Sequence, residues 1–554
     1  MTDVLLPLAV VVPIVAATLP LALGLRYDRV GWPIAAVGTT AVAGIAAAIA
    51  AEVVLNGPFD HALGGFLPPV GIELVADRLS VAVLLVVAAV SVATLAFARV
   101  AGPHENPYYS AYLLLVGGLV GMTLTGDLFN LFVFLEITGL TTYALIASDR
   151  SGASAYASLK YLVVGTVGAS LYLLGVGYVF LATGTLNMIA VQEQIVAQAG
   201  YGDPLVRASY AFIVTGLALK IAIFPVHSWQ PDAYQRAPDS VTTIVAALVS
   251  TTSAYALIRV TYTVFTVDFL AANRGIATAL LVVSTASIVA GSALAAMQSN
   301  LKRMFAYSSV AQFGMIGAAV ALANETALLG GMVHLIGHAI MKFGLFLGIG
   351  LLALGYGTRR IEDLASAARA APYTSGALAV LGLALVGIPP SIAFLGKWYI
   401  GVGAVDAGLA GGGAVGIAVA AAIFVSTLLT LSYVARLIER FYFAGAGLPG
   451  DHGEVPGDGG DGAAATDGGR AGDDAATDGG GSATTDGGER SVAKTADGLP
   501  APVEGAPRSS LVPDRVPTAS LLALGLAVVA TVALGFGGFA LAEWFDPFLT
   551  EVFA

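Results

Sequence analysis

Residues 217–234 read LALKIAIFPVHSWQPDAY, an apolar run that holds Lys220 and, five positions later, Pro225. A charge in the middle of such a run costs about 2.5–3.5 kcal/mol on insertion scales if the run crosses a bilayer. Proline removes a backbone donor and breaks the helix, which a membrane tolerates only where protein or a polar cavity supplies new partners. The pairing of lysine and proline occurs twice. Residues 387–400 read GIPPSIAFLGKWYI, with Pro389 and Pro390 shortly before Lys397. Both stretches predict interrupted transmembrane helices with a lysine at the interruption.

Outward from these two stretches the rest of the 554 residues has the same character, with apolar runs long enough to span a bilayer recurring from Val4 to Leu541. Of the chain, 57% is hydrophobic and 11% charged, and the mean hydropathy is +0.84. So little polar surface cannot cover a water-soluble core of this size. The expected fold is an all-α polytopic membrane protein of about fourteen spans. They lie near 4–25, 31–55, 78–99, 108–126, 128–147, 154–183, 207–230, 239–263, 273–297, 303–323, 326–355, 373–402, 413–442 and 517–541. Only Thr2 and Asp3 follow Met1 before the first run, so it reads as a span rather than a cleaved signal peptide. Residues 57–75, with Pro58, Gly64, Gly65, Pro68 and Pro69, predict an extracellular hairpin or loop. The absence of cysteine excludes disulfides, thiolate metal sites and cysteine nucleophiles. No cofactor, metal or nucleic-acid partner is expected, and no nucleotide loop or nucleophile arrangement marks an enzyme.

Basic residues orient the spans. Loops after odd-numbered spans carry Arg26, Arg29, Arg99, Arg150, Arg236, Lys302, Arg303, Arg359, Arg360 and Arg369, whereas those after even-numbered spans carry Arg78, Arg207, Arg259 and Arg274. The excess places the odd loops in the cytoplasm and both termini outside a multi-pass plasma-membrane protein. The formal charge of −11 is largely local, because between Asp451 and Arg490 ten carboxylates face two arginines and Thr-Asp-Gly-Gly recurs three times. Residues 444–516 therefore read as a disordered, acidic cytoplasmic linker, of a composition resembling the solvated surfaces of halophiles. Its spacing lacks an EF-hand pattern.

Four of the six lysines, Lys160, Lys220, Lys342 and Lys397, fall inside apolar spans, and so does Glu136 in DLFNLFVFLEITGL. Satisfied ion pairs and snorkelling ends are the structural alternatives, but apolar residues flank Lys220 and Lys342 on both sides, which favours an ion or proton path. Lysine suits proton transfer because its charge state responds to desolvation, whereas arginine stays charged. Two unit charges 4 Å apart interact by about 4 kcal/mol at an effective dielectric of ~20, enough for a neighbouring carboxylate to hold or release a lysine's proton. His334, His338 and Lys342 follow one another at intervals of four and share one helix face, which predicts a hydrated relay between two halves. A metal site there lacks further ligands.

The intervals repeat as well. Lys160 precedes Lys220 by 60 residues and Lys342 precedes Lys397 by 55, so spans four to eight and nine to thirteen look like two copies of a five-helix unit. An odd number of spans gives the copies opposite orientations, and inverted repeats with broken helices are a transporter signature. The expected organisation is three helices and the hairpin over 1–107, a first repeat over 108–265, a second over 270–443, the linker, and a last helix within 517–554.

DLFNLFVFLEI, LKIAIFPVHSWQPDAY, LKRMFAYSSVAQFGMI, HLIGHAIMKFG and GIPPSIAFLGKW occur in that order over residues 75–440. Together they resemble the antiporter-like subunits shared by respiratory complex I, membrane-bound hydrogenases and Mrp-type sodium/proton antiporters. Within that family DLFNLFVFLE looks most like the D-type member of the Mrp antiporter. The resemblance implies fourteen helices with two inverted repeats and makes Glu136 and Lys220 the central charged pair. It implies that Lys397 is an outlet lysine and that His334, His338 and Lys342 belong to the central axis. In one place the sequence departs from the family. Span eight, VAALVSTTSAYALIR, has Thr251 where the family usually has a lysine, and no buried charge is expected in it. A threonine cannot hold a proton at neutral pH but can donate and accept in a water chain, so Thr251, with Thr252 and Ser253, is the expected water relay.

The implied function is a proton-translocating subunit of a multisubunit sodium/proton antiporter. Its alternative is a proton-pumping subunit of an NADH–quinone oxidoreductase or membrane-bound hydrogenase, and a third reading is a non-conducting structural subunit. In every case the chain is not an enzyme by itself, and its partners are other membrane subunits, protons, sodium and lipid. Loop-closure entropy changes only slowly with loop length. Deleting 455–500 is therefore expected to leave assembly and flux intact, with 444–454 and 501–516 still bridging the gap. A large loss of transport at unchanged expression shows instead that the linker docks.

Overall fold

The computed structural model describes residues 2–409, 414–444 and 517–553. Apart from Ala444 the expected linker lies outside the described residues. The chain begins with α1 (Leu5–Gly24) and α2 (Gly31–Asn56), and a hairpin of β1 (Phe59–Ala62) and β2 (Glu73–Ala76) follows. The hairpin is antiparallel, pairing Phe59 with Ala76 and Ala62 with Glu73. It leads into α3 (Arg78–Ala101), α4 (Asn106–Leu124), α5 (Leu128–Ala147), α6 (Gly152–Thr183) and a short α7 (Met188–Gln194). Polar residues at the helix starts supply caps, as their orphan N–H groups require. Asp77 accepts from the Ser80 amide and closes a capping box, Asp127 accepts from Asn130, and Ser151 from Ser154.

Span seven is in two pieces, α8 (Pro204–Lys220) and α9 (Trp229–Arg236). The helix ends five residues ahead of Pro225, and Ala222 adopts a left-handed φ of +58°. Span eight, Asp239–Ala272, is continuous but uneven. It comprises α10 (Asp239–Ile244), α11 (Ser250–Arg259) and α12 (Thr266–Ala272), joined by π-helical turns over Val245–Val249 and Val260–Phe265. Next come α13 (Arg274–Ala296), α14 (Leu301–Leu322), α15 (Glu325–Tyr356) and the short α16 (Ala367–Ala370). Span twelve is again split, into α17 (Pro372–Val386) and α18 (Ile392–Ala407), with Gly387 at φ +96° in the break. After it stand α19 (Ala414–Tyr442) and α20 (Thr518–Phe536).

Twelve helices among the described residues are long and apolar enough to cross a membrane. The two other expected spans are the broken ones, whose pieces are too short to qualify alone. The protein is an all-α polytopic membrane protein, with one β-hairpin among the described residues. Span eight and α15 form the centre, their most apolar windows being 100% and 94% buried, while α1, α2, α6, α19 and α20 present apolar side chains outward.

One element departs from the expected ending. Hydropathy predicts span fourteen as the last element, but Gly538–Phe553 forms a further helix, α21. Glu543, Asp546 and Glu551 interrupt its apolar pattern, so it carries no spanning signal. It packs at the hairpin end of the bundle, where Trp544 Nε1 donates to the Arg78 carbonyl at 2.9 Å and Arg78 donates to the Glu543 carbonyl at 3.3 Å. Under α21 lies a second departure, a buried charge in span eight. Arg259 pairs with Asp77 at 2.6 Å, and its guanidinium lies 5.5 Å from the Phe548 ring centroid. Three elements meet at this ion pair: the start of α3, the end of α11 and α21.

Burial pushes the Asp77 carboxyl up, but Arg259 and the Ser80 cap outweigh it and hold the group below the usual carboxylate range. A depressed carboxylate contributes stability that is present above its unfolded value, near 4, and is lost as pH falls through its folded value. Removing one partner of a buried pair costs about 3–5 kcal/mol. Arg259→Met is therefore expected to lower the unfolding midpoint in detergent at pH 7, with a deficit that narrows on acidification through the folded value of Asp77. A pH-independent deficit contradicts this account.

Candidate functional site

Each broken helix leaves carbonyls without intrahelical partners, and the side chains near the breaks answer them. At the end of α8 the Trp229 indole donates to the Leu219 carbonyl at 2.9 Å. The Phe224 amide in the break donates to Ser287 Oγ of α13 at 3.0 Å. In the second break Lys397 does this itself, donating to the Leu385 and Val386 carbonyls at 2.8 and 2.9 Å. The ammonium thus caps the C-terminus of α17, where the helix dipole favours a cation. Gly387 suits the break for two reasons, its positive φ and the Lys397 side chain packed against it.

Lys220 is in a different setting. Only 3% of its side chain is exposed, and its Nζ lies 3.5 Å from Glu136 Oε1. It also donates to the Tyr143 hydroxyl at 3.4 Å. Glu136, Gly139 and Tyr143 occupy one face of α5 by helical spacing. Gly139 leaves the room that Lys220 fills, because a Cβ there would stand 3.0 Å from Nζ. Glu136 itself is 25% exposed.

The central residues lie on α15, where His334, His338 and Lys342 are all fully buried. His334 Nε2 is 2.8 Å from Gln312 Oε1 of α14, which requires the ring to donate there. Its other nitrogen and both nitrogens of His338 are buried without a protein partner. His338 packs on Phe313, with ring centres 4.5 Å apart. Lys342 donates to the Phe305 carbonyl at 2.8 Å and to Ser308 Oγ. His334 also lies against Gly396, the neighbour of Lys397, so α15 and α18 touch beside these two residues. No group of three metal-ligating side chains forms among the described residues.

Thr251 is 1% exposed, and its hydroxyl has no protein partner. The two residues expected to act with it have their hydroxyl hydrogens engaged by backbone carbonyls and keep only acceptor capacity. Thr252 Oγ1 donates to the Leu248 and Val249 carbonyls and Ser253 Oγ to Val249, within their own helix. Lys160 belongs to an ion pair. It donates to Asp232 Oδ2 at 2.6 Å, while Arg303 holds the other oxygen at 2.8 Å. A second ionic cluster joins Asp239 to Lys302 at 3.1 Å and to Arg359 at 2.6 Å. Sequence reasoning places Lys302 and Arg359 in loops; Arg359 does lie in the connection after α15, whereas Lys302 stands in the first turn of α14. The two aspartates of QPDAYQRAPD are the available signal for both clusters.

Sequence reasoning also misses Tyr143, Gln312 and Ser308, which contact the charged groups directly. Single hydroxyls and amides are common in apolar spans, so nothing in the sequence distinguishes them.

Residues 125–429 match the family model described as "NADH:quinone oxidoreductase/Mrp antiporter, TM". The N-type membrane subunit of the NADH-quinone oxidoreductase of Desulforudis audaxviator is 38% identical over 464 residues, covering 81% of this chain and 88% of that protein. The D-type member of the Na(+)/H(+) antiporter of Bacillus subtilis is 29% identical, covering 69% of this chain and 75% of its own length. A chain of the Mrp complex from Dietzia sp. superposes with a TM-score of 0.75 at 27% identity, covering 100% of this chain and 99% of that one. N-type and D-type relatives both match, so the family is shown without the particular D-type branch that DLFNLFVFLE suggests, because short motifs shared across a family do not resolve its branches. With more than half of its length matched by the family model, the chain belongs to the NADH:quinone oxidoreductase/Mrp antiporter family of cation-translocating membrane subunits.

Proposed function

We propose that this chain is the proton-translocating membrane subunit of a respiratory-type redox complex of the NADH–quinone oxidoreductase class. The observation that carries translocation is the buried Lys220 ammonium, 3.5 Å from Glu136 at the end of an interrupted helix. A lysine in that position keeps its proton while the carboxylate is near and gives it up when the pair separates. Further along, His334, His338, Lys342 and Lys397 continue the path, and Thr251 joins the halves through water. The 38% identity to an N-type relative favours the redox class. A sodium/proton antiporter is the second reading, supported by the full-length likeness to a chain of an Mrp complex.

In this reading the chain moves protons and has no redox chemistry of its own. Residues 108–265 and 270–443 act as inverted five-helix repeats, preceded by 1–107 and followed by the cytoplasmic linker 444–516 and the last segment 517–554. Each repeat contributes one broken helix, α8–α9 or α17–α18, which supports that division. The termini and the hairpin lie outside the plasma membrane, and the ends rich in arginine lie in the cytoplasm. Glu136 supports the presence of a partner, since a quarter-exposed carboxylate is costly against lipid and is relieved by a covering subunit.

In vesicles containing the whole complex, Glu136→Gln and Lys220→Ala are each expected to reduce proton flux by more than about tenfold while the complex stays assembled. Normal flux in either assembled variant instead favours a sealing, non-conducting subunit. Co-purified iron–sulfur subunits support the redox reading, and small membrane subunits alone support the antiporter.

A further inference from the structure

The charged axis has a gap at span eight, because Thr251 cannot hold a proton. From Lys220 a series of ring contacts and hydrogen bonds runs to Ser250, the residue before Thr251, and to α15. Lys220 contacts the Tyr143 hydroxyl, and the Tyr143 ring meets Tyr161 edge-on with centres 4.6 Å apart. Tyr161 stacks on Trp229 at 3.8 Å, at the start of α9. Its hydroxyl is buried without a protein partner. Gln230, the next residue, is fully buried, and its Nε2 donates to Tyr234 Oη at 3.0 Å and to Ser250 Oγ at 3.4 Å. Tyr234 Oη and Ser250 Oγ are themselves 3.4 Å apart. The Tyr234 ring then meets Phe346 of α15 edge-on at 5.7 Å. Ser250 precedes Thr251 directly, at the end of the π-helical turn Val245–Val249. Such turns are frequent at functional sites because they loosen the backbone ladder.

We propose that Gln230, Tyr234 and Ser250 form a neutral proton relay that replaces the protonatable residue missing at position 251, linking Lys220 to the histidines of α15. This inference rests on the proton-translocating reading above. By accepting from the Gln230 amide, Tyr234 Oη and Ser250 Oγ are left with their own hydrogens free to point along the path. A proton arriving at Tyr234 Oη forms one O–H bond as the existing one breaks toward Ser250 Oγ, and the Ser250 O–H breaks as its hydrogen bonds to a bridging water beside Thr251. One proton enters and one leaves, and no charge remains on any oxygen. The N–H bonds of Gln230 stay intact, so Gln230 is a positioning residue. A purely structural cluster in a packed core satisfies its polar atoms. Gln230 Oε1, Tyr161 Oη and Thr251 Oγ1 are all buried without protein partners, an arrangement suited to bridging water.

Proton flux through the whole complex in vesicles tests the relay. Tyr234→Phe removes one oxygen and keeps the ring on Phe346, and Gln230→Met keeps the volume and removes both donors. Each is expected to lower flux about tenfold with the unfolding midpoint unchanged. Adding Thr251→Lys to Tyr234→Phe is expected to restore most of the flux by supplying a protonatable group in span eight. Wild-type flux in both single variants, alongside loss of flux in Lys220→Ala, overturns the relay and leaves translocation standing. Reduced flux that Thr251→Lys does not rescue makes the cluster structural and also overturns the relay. Undiminished flux in Lys220→Ala overturns the translocation reading and the relay with it.

Discussion

A polar group inside lipid must find its partner within the protein, and the two helix breaks are where this constraint has most effect. A continuous helix satisfies its own backbone, but an interrupted one exposes carbonyls and amides at mid-depth. Trp229, Ser287 and Lys397 meet those groups directly. The breaks therefore organise the interior around them, drawing polar side chains from α9, α13 and α18 into an otherwise apolar bundle.

The two halves use the constraint differently. Lys397 rests on the free carbonyls of α17, a neutral cradle strengthened by the helix dipole. Lys220 ends its own helix and faces a carboxylate and a phenol. A lysine held by carbonyls has no counter-ion that can move away, whereas one held by Glu136 does. The break at α8 thus sets a lysine beside a counter-ion, and the break at α17 sets one against fixed dipoles.

Other ionic groups in the molecule are of another kind. Asp239 with Lys302 and Arg359, Asp232 with Lys160 and Arg303, and Asp77 with Arg259 each tie together elements distant in sequence. They lie toward the ends of the bundle and are closed by short contacts. His334 and His338, by contrast, have ring nitrogens without protein partners in the buried centre. Closed pairs fix helices in place, while open polar groups leave capacity for water and protons. That contrast separates the candidate path from the charged groups that brace the fold.

The sequence by itself determined the membrane class, the spans, both interruptions and which charged residues lie in apolar runs. Charge and proline are anomalous in apolar runs, so Glu136, Lys220, Lys342 and Lys397 were legible without any coordinates. Hydrophobic periodicity had little to say about α21, whose short mixed pattern acquires meaning only by packing on α3 and Arg259. Nor could it show that Lys160 belongs to an ion pair and Lys342 to a carbonyl and a hydroxyl, since both sit in similar apolar strings. Uncharged partners such as Gln230, Tyr234 and Gln312 were equally hidden, because a lone amide or phenol is ordinary in a membrane helix. Only the tertiary structure decided which of them meet, since hydrogen bonds depend on the rotation and depth of each helix, and sequence spacing fixes neither across separate helices.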